Sequence, residues 1–383
     1  MILFNRKART DSPAPSTCQC GTIVFFENTI CIGCGRLLGY VPETGHVHSF
    51  TQDTRTSLFR TSDPSLRKRQ YRCCEHRTGP LGCNWMIPAE EPANQCPSCQ
   101  LTRTFPDVNI VGNDVKWAMA EAAKRRVGAQ LLRLGIPLVS QLQNPRGVCF
   151  DFLQTPLGSA PIITGHENGV ITLNVDEADA ASREFMRQQM GEEYRTLAGH
   201  MRHELAHYYW DVLAADPKWV EDFRQRFGDE QSDYNSTLAQ YYSGGPKLDW
   251  NQNYITPYAS AHPWEDWAET FAHYMHLNEG VYTARTYGLN GETLPFGIQK
   301  FEAAALGSGV PKDRGKNFLA DINAWVKLSV LTNEMSRALG HPNSYPFVLN
   351  APVVGKLWFV RQSLPRIVTQ LQEAANPPLK AAA

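Results

Sequence analysis

The chain has 383 residues, 42% of them hydrophobic, and a formal charge of −1 at neutral pH. That length exceeds one ordinary core and predicts two or three units, while the balanced charge supplies no basic field and gives nucleic-acid binding no support. No apolar run reaches the roughly 18 residues of a membrane span, and residues 1–4 are too short for a signal core, with Arg6, Lys7 and Arg9 following rather than preceding them. A cytoplasmic protein with no membrane partner is therefore expected.

Nine of the ten cysteines precede position 100. Cys18-Gln19-Cys20-Gly21 and Cys31-Ile32-Gly33-Cys34-Gly35 form two knuckles around an apolar, β-prone loop. Glycine after each knuckle lets backbone amides turn toward a thiolate, which suits a four-cysteine structural zinc ribbon, although the first knuckle is CxC where CxxC is usual. A second set follows: Cys73, Cys74, Cys83 and Cys96-Pro97-Ser98-Cys99. Neighbouring side chains on an extended segment point to opposite faces, so only one of Cys73 and Cys74 joins that metal; Cys74 is favoured, with Cys73 a free or packing thiol. CxxC spacing points to metal rather than to disulfides. Cys149, within VCFDF, reads as a core thiol.

Composition makes residues 39–63 a linker rich in Thr, Ser and His, with His46 and His48 solvated, and makes Arg67, Lys68, Arg69 and Arg72 part of a surface strand. Asn113 or Asp114 caps a helix running to about Leu134, with Lys124, Arg125 and Arg126 on its exposed face. Strands are expected at 147–153 and 169–175. Further helices are expected at 179–189, 217–227, 231–242, 321–339 and 353–372, ahead of a disordered Pro- and Ala-rich tail at 375–383.

Between these lies Gly199-His200-Met201-Arg202-His203-Glu204-Leu205-Ala206-His207. No proline occurs from Tyr194 to Leu213, and Leu197, Met201, Leu205, Tyr208, Tyr209 and Val212 recur at helical spacing. Residues four apart share a helix face, so His203 and His207 present imidazoles to one metal while Glu204 points toward its water. A metzincin would need Gly and His where Trp210 and Leu213 stand, which excludes that class. A second helix starts near Pro263, with Glu265, Glu269, His273 and His276 along one side. Spacing alone leaves Glu265, Glu269, His262, His273 and His276 as rivals for the third ligand.

HELAH, followed 58 residues beyond His207 by EDWAE, resembles the gluzincin pattern HExxH plus ExxxE of thermolysin and anthrax lethal factor. More closely, CNWMIP, AEAAKRRV, GVITLN, YRTLAGHMRHELAHYYWDVL, HPWEDWAETFAHYMH and YPFVLNAPVVGKLWFV resemble the bacterial zinc-binding metallopeptidases that begin with a zinc ribbon. The resemblance implies an α+β, zincin-like fold: a mostly helical metallopeptidase domain with a small β-sheet, behind small zinc-ribbon modules. It makes Glu265 the third ligand and Glu269 the carboxylate behind a ligand histidine, and it places Tyr258 where lethal factor has an active-site tyrosine. It also leaves residues 170–174 as either a substrate-pairing edge strand or an interior strand.

One catalytic and two structural zinc ions follow, the latter on Cys18, Cys20, Cys31 and Cys34 and on Cys74, Cys83, Cys96 and Cys99. Zinc acidifies its water and polarises a peptide carbonyl, Glu204 serves as general base, and the Tyr258 phenol donates to the oxyanion, with Tyr254 its nearest substitute. Asp211, one turn beyond His207, is a further candidate to orient it. His200, His273 and His276 are expected to pack. The expected division is 14–60 (ribbon and linker), 61–106 (second zinc module), 107–374 (peptidase domain) and the tail. Two other classes remain: a non-catalytic adaptor binding protein or nucleic acid through its ribbons, and a metal-dependent hydrolase of a non-peptide amide.

Overall fold

The computed structural model describes residues 14–189, 192–307, 313 and 315–375. Residues 1–4 and, beyond Ala375, the expected disordered tail lie outside the described residues. The chain forms two compact units, one running to Met186 and including the chain from Leu371, the other Arg187–Gln370.

In the first unit, β1 (Leu37–Val41), β2 (His46–Gln52), β3 (Phe59–Thr61), β4 (Tyr71–Cys73) and β5 (Met86–Pro88) form an antiparallel sheet in sequence order. Residues 39–63 are thus largely strand rather than linker. Their polar composition hides two anchors on β2: Val47 and Phe50, three apart and so on opposite faces of the strand, are buried in separate core clusters, and Ser49 between them is buried too. Trp85 is fully buried and packs at 4.8 Å on the Tyr40 ring, in one core with the cysteine clusters.

A second sheet holds β6 (Thr102–Thr104), β7 (Cys149–Leu153), β8 (Gly165–Glu167) and β9 (Val170–Asn174) in the order β6-β7-β9-β8. β9 runs parallel to β7 and antiparallel to β8. Both its edges are hydrogen-bonded, which makes residues 170–174 an interior strand and removes them as an edge for substrate. Asn168 and Gly169, both at positive φ (50° and 79°), form the two-residue turn between β8 and β9. Helix α1 (Asn113–Arg133) is capped by Gly112 rather than by Asn113 or Asp114. Lys124 and Arg125 on it are buried, not exposed: the Lys124 ammonium donates to Glu121 at 2.8 Å and lies over the Phe150 and Phe152 rings. A cation is buried only when paired, and Glu121 is that partner. Helix α2 (Ala180–Gln189) follows.

The second unit is helical: α3 (Leu197–Leu213), α4 (Pro217–Phe227), α5 (Tyr234–Gly244), α6 (Trp250–Asn253), α7 (Pro263–Thr286), α8 (Lys316–Ala338) and α9 (Ala351–Ala375). Its core is aromatic. Trp219 of α4 lies 5.4 Å from Trp267 of α7 and 5.6 Å from Phe359 of α9. Trp267 is fully buried, and its indole N–H donates to the Ala206 carbonyl of α3 at 2.8 Å. That bond ties α7 to the helix carrying the histidines, and Trp267→Ala is expected to cost about 3–5 kcal/mol. No helix among the described residues is long and apolar enough to cross a membrane.

Candidate metal centres and catalytic site

Among the described residues, three groups of side chains converge tightly enough to hold a metal ion: Cys18, Cys20, Cys31 and Cys34; Cys74, Cys83, Cys96 and Cys99; and His203, His207 and Glu265. In the first, Gly21 and Gly35 adopt φ of 91° and 69° and donate their amides to the Cys18 and Cys31 carbonyls, closing each knuckle. Sulfur separations are 3.6 Å for Cys18–Cys34 and for Cys20–Cys31. A tetrahedral zinc with bonds of about 2.3 Å to sulfur has edges of about 3.8 Å, so these spacings fit it. Cys20 and Cys34 are exposed. The Thr22 hydroxyl and amide pull the Cys20 thiol down to about 6, whereas burial pushes Cys18 up to about 11.

The second group is buried throughout, with Cys83 3.7 Å from Cys96 and 3.8 Å from Cys99. The Cys96 amide donates to Cys74 sulfur at 3.4 Å, and the Cys83, Cys96 and Cys99 thiols hold Cys74 far below its usual range. Cys73 on β4 pairs with Met86 of β5 and packs against the core of Val41, Phe50, Leu66, Tyr71 and Met86, outside the cluster. Cys149 is buried in β7.

The third group rests on two capped helices. Thr196 caps α3 by accepting from the Gly199 amide at 3.0 Å. His262 caps α7 by accepting from the Trp264 amide at 3.1 Å, and Pro263 in the first turn sets Glu265 near the positive end of the helix. His203 Nε2 and His207 Nε2 are 3.2 Å apart, and Glu265 Oε2 stands 3.0 Å from the first and 3.7 Å from the second. Zinc–nitrogen bonds of about 2.0–2.1 Å imply edges of about 3.3–3.4 Å, again a fit. Glu265 Oε2 is buried without a hydrogen bond, an atom left for a cation.

Glu269 Oε1 meets His203 Nδ1 at 2.7 Å, on the ring face away from Glu265. Burial by itself would lower the His203 pKa, but the Glu265 and Glu269 carboxylates outweigh it and push it well above the imidazole range. Two carboxylates on one imidazole create demand for positive charge that a divalent ion meets. Glu204 is buried on α3 beside His203. The Tyr258 ring lies 6.1 Å from His203 and 5.6 Å from Tyr241, and burial with nearby Glu265 keeps its phenol protonated. Tyr254 sits apart, its hydroxyl bound by Lys247 at 2.9 Å and its ring under Lys356 at 4.3 Å.

Other expected residues divide clearly. Asp211 is solvent-exposed on α3, one turn beyond His207. His273 binds the Tyr345 hydroxyl at 2.8 Å, and burial drops its pKa to about 4. His276 accepts from Arg202 at 2.7 Å, while the His262 Nε2 faces the Ser232 carbonyl at 3.1 Å. His200 lies on α3 ahead of the motif. Sequence reasoning missed Tyr234, whose hydroxyl donates to Glu265 Oε1 at 2.6 Å. Its contact spans 31 residues, and no spacing rule links them.

The chain matches the family described as "Putative zinc-binding metallo-peptidase" over residues 113–363 and a zinc-ribbon domain over 16–110. It is 35% identical over 359 residues to uncharacterized proteins of Mycobacterium tuberculosis and Mycobacterium bovis, a span of 93% of this chain and 96% of theirs. No solved structure matches it. The family match covers well over half of the chain and contains the His203–His207–Glu265 group, so this chain belongs to the family described as "Putative zinc-binding metallo-peptidase", with a zinc-ribbon domain ahead of the matched region.

Proposed function

We propose that the chain is a gluzincin-like zinc peptidase that hydrolyses peptide bonds in a protein or peptide substrate. The observation that carries this reading is the convergence of His203 Nε2, His207 Nε2 and the hydrogen-bond-free Glu265 Oε2, with the buried Glu204 next to His203 in the sequence of α3. Three donors leave a fourth position open, which a purely structural zinc site does not.

A zinc ion held there supplies Lewis acidity, which brings the pKa of a bound water near neutrality and polarises a carbonyl. Glu204 takes the proton of the attacking water and delivers it to the departing amine. Glu269 holds the His203 ring so that Nε2 faces Glu265 and His207. Tyr258 donates a hydrogen bond from its phenol to the oxyanion and keeps its proton. The two cysteine sets act as structural zinc sites in modules 14–60 and 61–106, giving three ions per chain with the peptidase domain at 107–374.

Glu204→Gln should keep zinc and fold while lowering hydrolysis by about two to four orders of magnitude. A proteome-wide cleavage screen, with this variant as its control, finds the substrate and separates peptide hydrolysis from attack on a non-peptide amide. Undiminished cleavage by Glu204→Gln would refute the mechanism.

A further inference from the structure

Glu265 has two carboxylate oxygens in different surroundings. Oε2 faces both imidazoles and accepts no hydrogen bond; Oε1 accepts from the Tyr234 phenol at 2.6 Å. That length belongs to charge-assisted O–H···O bonds, roughly twice as strong as neutral ones. Tyr234 opens α5, where Asp233 caps the helix by accepting from the Ser236 amide at 2.9 Å. Its ring meets His262 edge-on at 5.1 Å. His262 is itself fixed at both nitrogens: Nδ1 accepts from the Trp264 amide, so Nε2 carries the proton toward the Ser232 carbonyl. The phenol is therefore held by two helix caps.

A carboxylate binds a metal through one oxygen or through both. With three protein ligands, a second oxygen from Glu265 would occupy space the reacting water needs. We propose that Tyr234 is a positioning residue that commits Oε1 to a hydrogen bond and so restricts Glu265 to binding zinc through Oε2. This rests on the reading that His203, His207 and Glu265 hold zinc.

The test uses the full chain with both cysteine clusters zinc-filled and the His203–His207–Glu265 centre emptied by brief chelation, then titrated with Co²⁺. Tyr234→Phe keeps the ring and removes only the hydroxyl. It should weaken Co²⁺ and zinc binding about ten- to a hundredfold, and should replace the intense visible bands of four-coordinate cobalt with the weaker bands of five-coordinate cobalt. Tyr287→Phe, which removes an exposed phenol past the C-terminal end of α7, should leave the spectrum as in the parent. Identical affinity and spectrum for Tyr234→Phe and parent overturn the inference, as does a spectral change in Tyr287→Phe that matches Tyr234→Phe. A cobalt spectrum that His203→Ala leaves unchanged overturns the site reading itself, and the inference with it.

Discussion

The cysteine clusters and the His203–His207–Glu265 centre differ first in donor number. Four thiolates at tetrahedral spacing close a coordination sphere, whereas two imidazoles and one carboxylate oxygen leave a corner free. They differ also in what surrounds the donors. The Cys74 cluster is buried within a small core with Trp85 and Tyr40, while two of the three donors of the histidine centre are backed from behind: Glu269 behind His203, Tyr234 and the start of α7 behind Glu265. Burial dominates the closed Cys74 cluster; the open centre has two donors aimed by hydrogen bonds.

The comparison breaks most visibly if a closed cluster loses a corner. Zinc binding to such sites contributes about 10–16 kcal/mol to the folding of small zinc modules. Cys83→Ser should therefore release the zinc of the Cys74 cluster and expose residues 61–106 to protease, with the histidine centre still loaded. A full zinc complement and unchanged protection in this variant would show that the cluster is not a zinc fold.

The next effect comes from the open centre. Glu265→Ala removes a ligand and leaves two imidazoles, so zinc content should fall from three ions per chain to two while the cysteine modules stay intact. Retention of all three would move the third ligand elsewhere, and Glu269 is the carboxylate to examine.

Local chemistry was legible; long-range pairing was not. Helix α4 matches its expected limits of 217–227 because Asp216, Pro217 and Gly228 write both ends into adjacent residues. The α5 start moves from 231 to Tyr234 because Asp233, not an earlier residue, accepts from the Ser236 amide. β2 and β3 disappear into a polar composition because their apolar anchors are few and, with Val47 and Phe50 on opposite faces of β2, show no alternation. The Asn168-Gly169 hairpin signal is present in the sequence, yet β8 was missed because the strand N-terminal to it has three residues and no apolar alternation. Lys124 read as exposed from its neighbours Arg125 and Arg126; its partner Glu121 lies one turn back, but only the Phe150 and Phe152 rings show that this face is covered.

Tyr258 sharpens the contrast, because a closed cluster has no use for an oxyanion donor. Its ring lies beside His203 and is backed by Tyr241, while Lys247 and Lys356 occupy Tyr254. Tyr258→Phe should lower kcat by about a hundredfold with zinc content and KM nearly unchanged. Parent-level turnover would make Tyr258 a packing residue.

The smallest effect is the most discriminating. Glu269 lies outside the three-donor group: its Oε1 meets His203 Nδ1 at 2.7 Å, while Nε2 of the same ring faces Glu265. Burial alone would raise the Glu269 pKa, but the His203 imidazole outweighs it and keeps the carboxylate charged. Glu269→Ala therefore removes ring orientation and basicity from His203 without removing a donor. Outer-partner losses of this kind cost about ten- to a hundredfold in metal affinity, so a zinc competition titration should show weaker but stoichiometric loading, against the empty centre of Glu265→Ala. The reverse ranking, with Glu269→Ala emptying the site and Glu265→Ala only weakening it, would exchange the two carboxylates' roles and place Tyr234 behind the wrong one.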